Sequence, residues 1–266
     1  MRLVLAFLLT AALPASADEP AWPDLREALF GDQPIRDASG MIALSAPLRS
    51  DDDARTFIGA DIDAPPGRAV REVTVVLDNN PMPVSAVIEL AHPLPHFRFD
   101  ATLRINGPTP LHVVVELDDG ALMGAETFVK TSGQGACAAP PGTDPAAALA
   151  TLGDMTISFA RWPGGATDAL RQLENAQTGL TLDISHPSHS GMQMDQITLL
   201  FTPMRYVDAL KIALDGRPYA DVTGSISLSE NPQLRIAVPA ATRRADVTLT
   251  DTDGTERHAT QLRAGY

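Results

Sequence analysis

The sequence predicts an all-β protein: two immunoglobulin-like antiparallel β-sandwiches joined by a flexible, cysteine-bearing linker. Three observations carry that prediction. Between residues 41 and 129, about seven short apolar or alternating runs are separated by turn signals every ~8–12 residues, the spacing of an antiparallel sandwich. A second series of such runs occupies the chain from residue 180 onward. Between them lies Lys130-Thr131-Ser132-Gly133-Gln134-Gly135-Ala136-Cys137-Ala138-Ala139-Pro140-Pro141-Gly142, and no bulky apolar residue stands between Val129 and Leu149. Such a stretch buries little surface and is expected to stand in solvent as an arm or hinge.

Residues 1–17 read as a secretory signal. Arg2 supplies the positive start, Leu3 to Leu13 form the apolar run, Pro14 ends it, and Ala15-Ser16-Ala17 is a small-x-small cleavage site. The run is shorter than the ~20 residues of a membrane span. The mature chain is therefore expected to begin near Asp18 and to be periplasmic, with no membrane insertion after cleavage. Residues 18–130 form the first expected sandwich. It opens with a short helix over Trp22–Phe30, capped by Asp24 with Glu27 three residues on, and stopped by Gly31; Leu25, Leu29 and Phe30 share a face that should pack on a sheet edge. Strands are expected at Met41–Leu48, Thr56–Ile62, Val70–Leu77, Pro83–Leu90, Phe97–Ile105, Leu111–Leu117 and Ala121–Val129. Pro65-Pro66-Gly67, Asp78-Asn79-Asn80-Pro81, Asn106-Gly107-Pro108 and Asp118-Asp119-Gly120 turn the chain between them.

Residues 131–165 are the cysteine arm and linker. They hold a short helix with Asp144 at the cap, Pro145 in its first position and Gly153 beyond its end, then a strand at Asp154–Arg161. Residues 166–266 form the second expected sandwich. Its strands are Leu180–Ser185, Gln196–Phe201, Ala209–Leu214, Ala220–Val222, Ser225–Ser229, Gln233–Val238 and Ala245–Thr250, with hairpin turns at Asp215-Gly216 and Asp253-Gly254. The halves share no obvious repeat, which suits a fusion of two unlike modules.

The formal net charge of −13 argues against nucleic acid or anionic lipid as a partner and suits docking to basic surfaces. One cysteine cannot close an internal disulfide, although an exported setting favours disulfides. The thiol is therefore buried and inert, bonded to another molecule, or kept available. Its Gly, Gln, Ala and Pro neighbours offer no core, which points to availability. Apart from Lys130, no basic side chain lies near Cys137 in sequence to activate it or serve as its base. That pattern fits a carrier whose chemistry happens inside other proteins. The sequence has no Gly-x-Ser-x-Gly elbow, Walker loop or His-Glu-x-x-His helix, and no catalytic residue is assigned.

At these residues the chain resembles a known system. Gly133-Gln134-Gly135-Ala136-Cys137-Ala138-Ala139 looks like a loosened form of the GGCGG swinging arm of the sulfur-oxidation subunit SoxY. Ile184-Ser185-His186-Pro187, then Ser190-Gly191-Met192, and Ile226-Ser227-Leu228-Ser229-Glu230-Asn231-Pro232 ahead of a strand are similar to its partner subunit SoxZ. Where SoxY ends at its arm, this chain runs on into the SoxZ-like half. That is the order of fused SoxYZ-like carriers associated with quinoprotein dehydrogenases. Two features depart from the pattern: alanines replace glycines around Cys137, and the arm is tied at both ends. The resemblance implies that Cys137 covalently holds a thiosulfate- or sulfane-derived intermediate, with no other cofactor. Gly133, Gln134, Gly135, Ala136, Ala138 and Ala139 would be its tether. It also implies internal pairing of the two halves, and partners drawn from periplasmic sulfur-oxidation enzymes or a quinoprotein dehydrogenase system.

A second constellation keeps an alternative open. His186, His189, Met192 and Met194 place two imidazoles and two thioethers within nine residues, a soft donor set suited to copper in an oxidising compartment. On that reading the protein is a periplasmic copper-binding or dehydrogenase-partner module. His92 and His96 flank Pro93 and Pro95 and are expected in a loop. Asp51-Asp52-Asp53 is expected to be a solvated turn rather than a metal site.

Overall fold

The computed structural model describes residues 21–133, 136, 145–162, 165–194 and 199–263. The expected signal segment, and Cys137 with Gln134, Gly135, Ala138 and Ala139, lie outside the described residues. The first half runs α1 (Trp22–Phe30), β1 (Ile35–Asp37), β2 (Ile42–Ser45), β3 (Thr56–Asp63), β4 (Val70–Leu77), β5 (Val84–Leu94), β6 (His96–Leu103), β7 (Thr109–Leu117) and β8 (Leu122–Val129). The second runs α2 (Pro145–Ala150), β9 (Met155–Ala160), α3 (Ala166–Glu174), β10 (Gln177–Ile184), β11 (Val207–Leu214), β12 (Arg217–Gly224), β13 (Gln233–Pro239), β14 (Arg244–Asp251) and β15 (Glu256–Leu262).

The all-β sandwich architecture stands, and the structure adds how the sandwiches join. One sheet has nine strands in the order β1-β8-β7-β4-β5-β12-β11-β14-β15, and the other six in the order β2-β3-β6-β13-β10-β9. Each half contributes strands to both sheets, and neither sheet stops at the boundary between halves. β5 pairs antiparallel with β12 from Ala86 opposite Gly224 to Leu90 opposite Ala220. β6 pairs antiparallel with β13, with Phe99 opposite Ile236 and Ala101 opposite Leu234. A free sheet edge leaves a row of N–H and C=O groups unpaired. Here each half covers those edges of the other. Ile58, Ile62, Phe97, Phe99 and Leu111 of the first half share one apolar cluster with Leu180, Leu182 and Ile212 of the second, all fully buried. Each such side chain contributes ~1.5–3 kcal/mol by leaving water.

The seam has a polar part, and it revises one expected strand. Residues 225–229 form a turn whose serines are buried and reach into the first half. Ser225 Oγ donates to the Ser85 carbonyl at 3.1 Å and Ser227 Oγ to the Met82 carbonyl at 2.9 Å. Ser229 Oγ shares a 2.7 Å hydrogen bond with Thr102 Oγ1. Asn80 Nδ2 donates to Ser227 Oγ at 2.9 Å and to the Arg104 carbonyl at 2.8 Å. The alternation that looked like a strand is a row of serines satisfied across the seam, and Leu228 adds a single bridge to Leu103.

Other elements differ from expectation for local reasons. α1 is capped by Ala21, not Asp24, because Pro23 fits the first turn, where a missing N–H leaves nothing unpaired. None of its residues is buried, and it meets the nine-stranded sheet through Trp22, which stacks on His112 of β7 at 3.7 Å and 6°. His92 lies in β5 and His96 opens β6, so neither is in a loop; His96 Nδ1 is 2.7 Å from Asp63 Oδ1. β9 joins β10 at the edge of the six-stranded sheet, so part of the segment treated as linker is sheet. α3 was not expected, nor was β15, whose polar sequence has no apolar alternation and which is held by its ladder to β14. Of the strand expected at 196–201, residues 196–198 lie outside the described residues and Phe201 makes one bridge to Met194.

Candidate functional site

β8 carries the chain to the root of the cysteine arm, and the loop between β2 and β3 grips that root. Lys130 N donates to the Leu48 carbonyl at 3.0 Å and Ser50 N to the Lys130 carbonyl at 2.7 Å. The Arg49 guanidinium donates to the Thr131 carbonyl at 2.6 Å. Among the described residues, the Asp53 carboxylate then accepts from Ser132 N at 2.7 Å, Ser132 Oγ at 2.9 Å and Gly133 N at 3.0 Å. Asp53 is 1% exposed, and its own carbonyl is fixed by Ile105 N at 2.8 Å. Gly133 has φ +92°, a left-handed conformation open to glycine at no steric cost. Ala136, one residue before Cys137, is 2% exposed. The expectation of an arm wholly in solvent fails at Ala136, which is buried, and in part at half-buried Ser132, while Gly133 is exposed with its N–H held by Asp53.

The acidic triplet is thereby split. Asp51 and Asp52 are exposed, as a solvated turn requires, and Asp52 Oδ1 accepts Ala54 N at 3.0 Å. Asp53 turns inward. Sequence reasoning missed it because its partners lie 79 and 80 residues away, and no local spacing marks a carboxylate that binds so distant a backbone.

On its far side the same loop meets the second half. Arg55 donates to the Glu230 carbonyl at 3.0 Å and to the Asn231 carbonyl. Asn231, at φ +45°, in turn pairs with His186: its N–H donates to the His186 carbonyl at 2.8 Å, and its Oδ1 accepts His186 N at 3.0 Å. The two segments singled out in the second half, around His186-Pro187 and Asn231-Pro232, are therefore one structural unit.

His186 itself is sealed. Its side chain is 0% exposed, and Nδ1 accepts the Ser188 N–H at 2.9 Å, which places the ring proton on Nε2. Nε2 faces Asp251 Oδ2 at 3.6 Å, too long for a hydrogen bond. Burial pushes the imidazole down to about 4, against the pull of Asp251. Burial raises Asp251 in turn, but hydrogen bonds from Arg205 Nε and Thr255 N, each 2.8 Å, outweigh it and hold the carboxyl below its ordinary value. Both ring nitrogens of His186 are thus directed into the interior. His189 Nδ1 bonds Gln193 Oε1 at 2.7 Å, while Met192 and Met194 are exposed with Leu199, Leu200, Phe201 and Met204 in the β10–β11 connection. The structure does not gather the four copper-donor candidates, because His186 is locked inside while the thioethers face solvent. Among the described residues, no group of three or more His, Cys, Asp or Glu side chains is placed to hold a metal, and no helix is long and apolar enough to cross a membrane.

Fold and arm root together define an all-β sandwich protein made of two unlike halves, merged through their sheets, with a tether leaving one half beside the seam. The chain matches the sulfur oxidation protein SoxY family over residues 26–137 and the sulphur oxidation protein SoxZ family over residues 169–262. It belongs to these families as a fused SoxYZ-like sulfur-oxidation protein, with one domain of each in a single chain. Among solved structures, the sulfur carrier protein SoxY from Chlorobium limicola f thiosulfatophilum is similar at 22% identity, covering 42% of this chain and 96% of that one, with a TM-score of 0.34. A superoxide reductase (neelaredoxin) from Ignicoccus hospitalis is similar at 12% identity, covering 37% of this chain and 95% of that one, with a TM-score of 0.27. Likenesses this slight carry no argument. No curated protein matches the sequence.

Proposed function

We propose that this sulfur-oxidation protein is a periplasmic carrier that holds a thiosulfate- or sulfane-derived group covalently on Cys137 and presents it to partner enzymes. The observation that carries the reading is positional: the SoxY match ends on Cys137 itself, the only thiol in the chain. The gripped root supports it, because four residues before that thiol the tether is fixed to a rigid sandwich. The protein supplies attachment and presentation; oxidation and hydrolysis of the cargo belong to sulfur-oxidation enzymes or a quinoprotein dehydrogenase system. The apolar run at Leu3–Leu13 supports export.

Intact mass spectrometry of the protein taken from its own periplasm, before and after reductant, tests this. A reducible increment on Cys137 is expected. Tetrathionate should load the purified thiol: the thiolate attacks one inner sulfur, a Cys–S–S–SO3⁻ linkage forms, and thiosulfate leaves, so no outside oxidant is needed. The Cys137→Ser variant should fold unchanged and take up nothing. A native thiol without any adduct that also resists tetrathionate overturns the proposal.

A further inference from the structure

We propose that the two-stranded ribbon between β10 and β11 is the docking surface for the enzyme that works on the cargo, a protein presenting an apolar recess rimmed by Lys and Arg. The inference rests on the carrier reading for its partner; the surface itself is a feature of the fold. Met192, Met194, Leu199, Phe201 and Met204 are each 44–67% exposed and fall within residues 192–204. Elsewhere among the described residues, exposed large apolar side chains stand singly or in pairs along the chain. Scattered single ones are ordinary, whereas a contiguous apolar patch in solvent marks an interaction site. The ribbon is ordered by its backbone: Thr202 N donates to the Gln193 carbonyl at 2.7 Å and Arg205 N to the His189 carbonyl at 3.0 Å. Met194 bridges Phe201, and cross-strand partners face the same way, so thioether and ring lie side by side. At the foot, the Arg205 guanidinium donates to Asp251 Oδ2 at 2.8 Å and to Thr255 Oγ1 at 2.6 Å. The ribbon is thus held from its foot rather than by burying these side chains, and its three methionines can mould to a partner.

Position and charge select the occupant. Arg55 ties its loop to the Glu230 and Asn231 carbonyls, and Asn231 pairs with His186, three residues before the foot at His189. The same loop holds Ser132 and Gly133 at the arm root. The foot of the ribbon and the root of the arm belong to one hydrogen-bonded unit, placed to engage the protein that receives the arm. Asp51, Asp52 and Asp208 are exposed there, and Asp253 beside Arg205 has 57% of its side chain exposed. Arg49 and Arg55 are engaged by backbone carbonyls and Arg205 by Asp251, leaving Lys130 as an exposed cation. The rim is therefore acidic. A basic partner meets opposite charge, whereas a second copy of this chain would set the same carboxylates against one another. An anionic membrane would meet a chain of formal net charge −13.

The test loads Cys137 of the purified full chain with tetrathionate. Loss of the adduct is then followed by intact mass in periplasmic extract of the source organism from which its own copy has been deleted. Met194→Glu combined with Phe201→Glu should slow that loss about ten-fold or more. Asp208→Lys, and high ionic strength with the wild type, should slow it several-fold. Leu262→Glu, at an exposed position on β15, should leave the rate unchanged. Dithiothreitol supplies two electrons as its own disulfide closes, releasing thiosulfate and the Cys137 thiol, and should act equally fast on every variant. Leu199→Glu gives the same reading should the double variant misfold. A wild-type rate in Met194→Glu with Phe201→Glu, equal slowing by Leu262→Glu, or an extract that leaves the wild-type adduct untouched overturns the docking surface while the carrier reading stands. A thiol that resists tetrathionate sinks the carrier reading itself, and this inference with it.

Discussion

Merged sheets make a thermodynamic prediction that separate sandwiches do not. Ile236 sits on β13 opposite Phe99 of β6, at the seam, and is 0% exposed. Ile236→Ala removes three carbons from a closed apolar cluster that both halves share, so loss of transfer energy and the residual cavity should together cost ~2–5 kcal/mol. For a chain of this size each kcal/mol lowers the melting temperature by ~2–4 °C, so a mid-range ~3.5 kcal/mol becomes ~7–14 °C. Ile62→Ala, fully inside the first half, should cost a similar amount. Scanning calorimetry of wild type and both variants should show one cooperative transition that moves down as a whole in each. Two resolved transitions, with each substitution shifting only that of its own half, would refute the idea that the continuous sheets couple the domains.

Two further outcomes follow from His186 and its neighbours. Burial holds His186 at about 4 in the folded protein, against ~6.5 when unfolded, so as pH falls the unfolded chain binds the proton first. Its contribution should be complete above pH ~6.5 and lost between ~6.5 and ~4, a decline of about 3 kcal/mol that His186→Gln should flatten; equal pH slopes in urea midpoints of both proteins would contradict this. Cu(I) titration of Cys137→Ser under reducing conditions should reveal no stoichiometric site that depends on Met192 and Met194, because His186 directs both nitrogens inward. A tight site abolished by Met192→Ala with Met194→Ala would restore the copper reading.

Much of this protein was legible in order along the chain. Turn-bounded apolar runs placed β3, β4 and β7, which are buried along most of their length, and β14 alternates between core and outer face. Where contrast was absent, reading failed: β15 has only Ala259 and Leu262 as apolar residues, and α3 turns Arg171 toward Asp61 while Leu170 and Leu173 stay exposed. The serines at 225, 227 and 229 showed strand periodicity for another reason, since their hydroxyls answer acceptors in the other half.

The cysteine, its small-residue tether and the two unlike halves are properties of the sequence by itself, since they depend on composition and on patterns a few residues long. The merging of the sheets, the pairing of His186 with Asn231 and the grip of Asp53 on Ser132 and Gly133 were decided only by the tertiary structure. Each joins groups tens of residues apart through hydrogen-bonding atoms that every residue, or any Asp or Asn, possesses. Residue identity cannot single out such partners; only the packing of both sheets around one core brings them within reach.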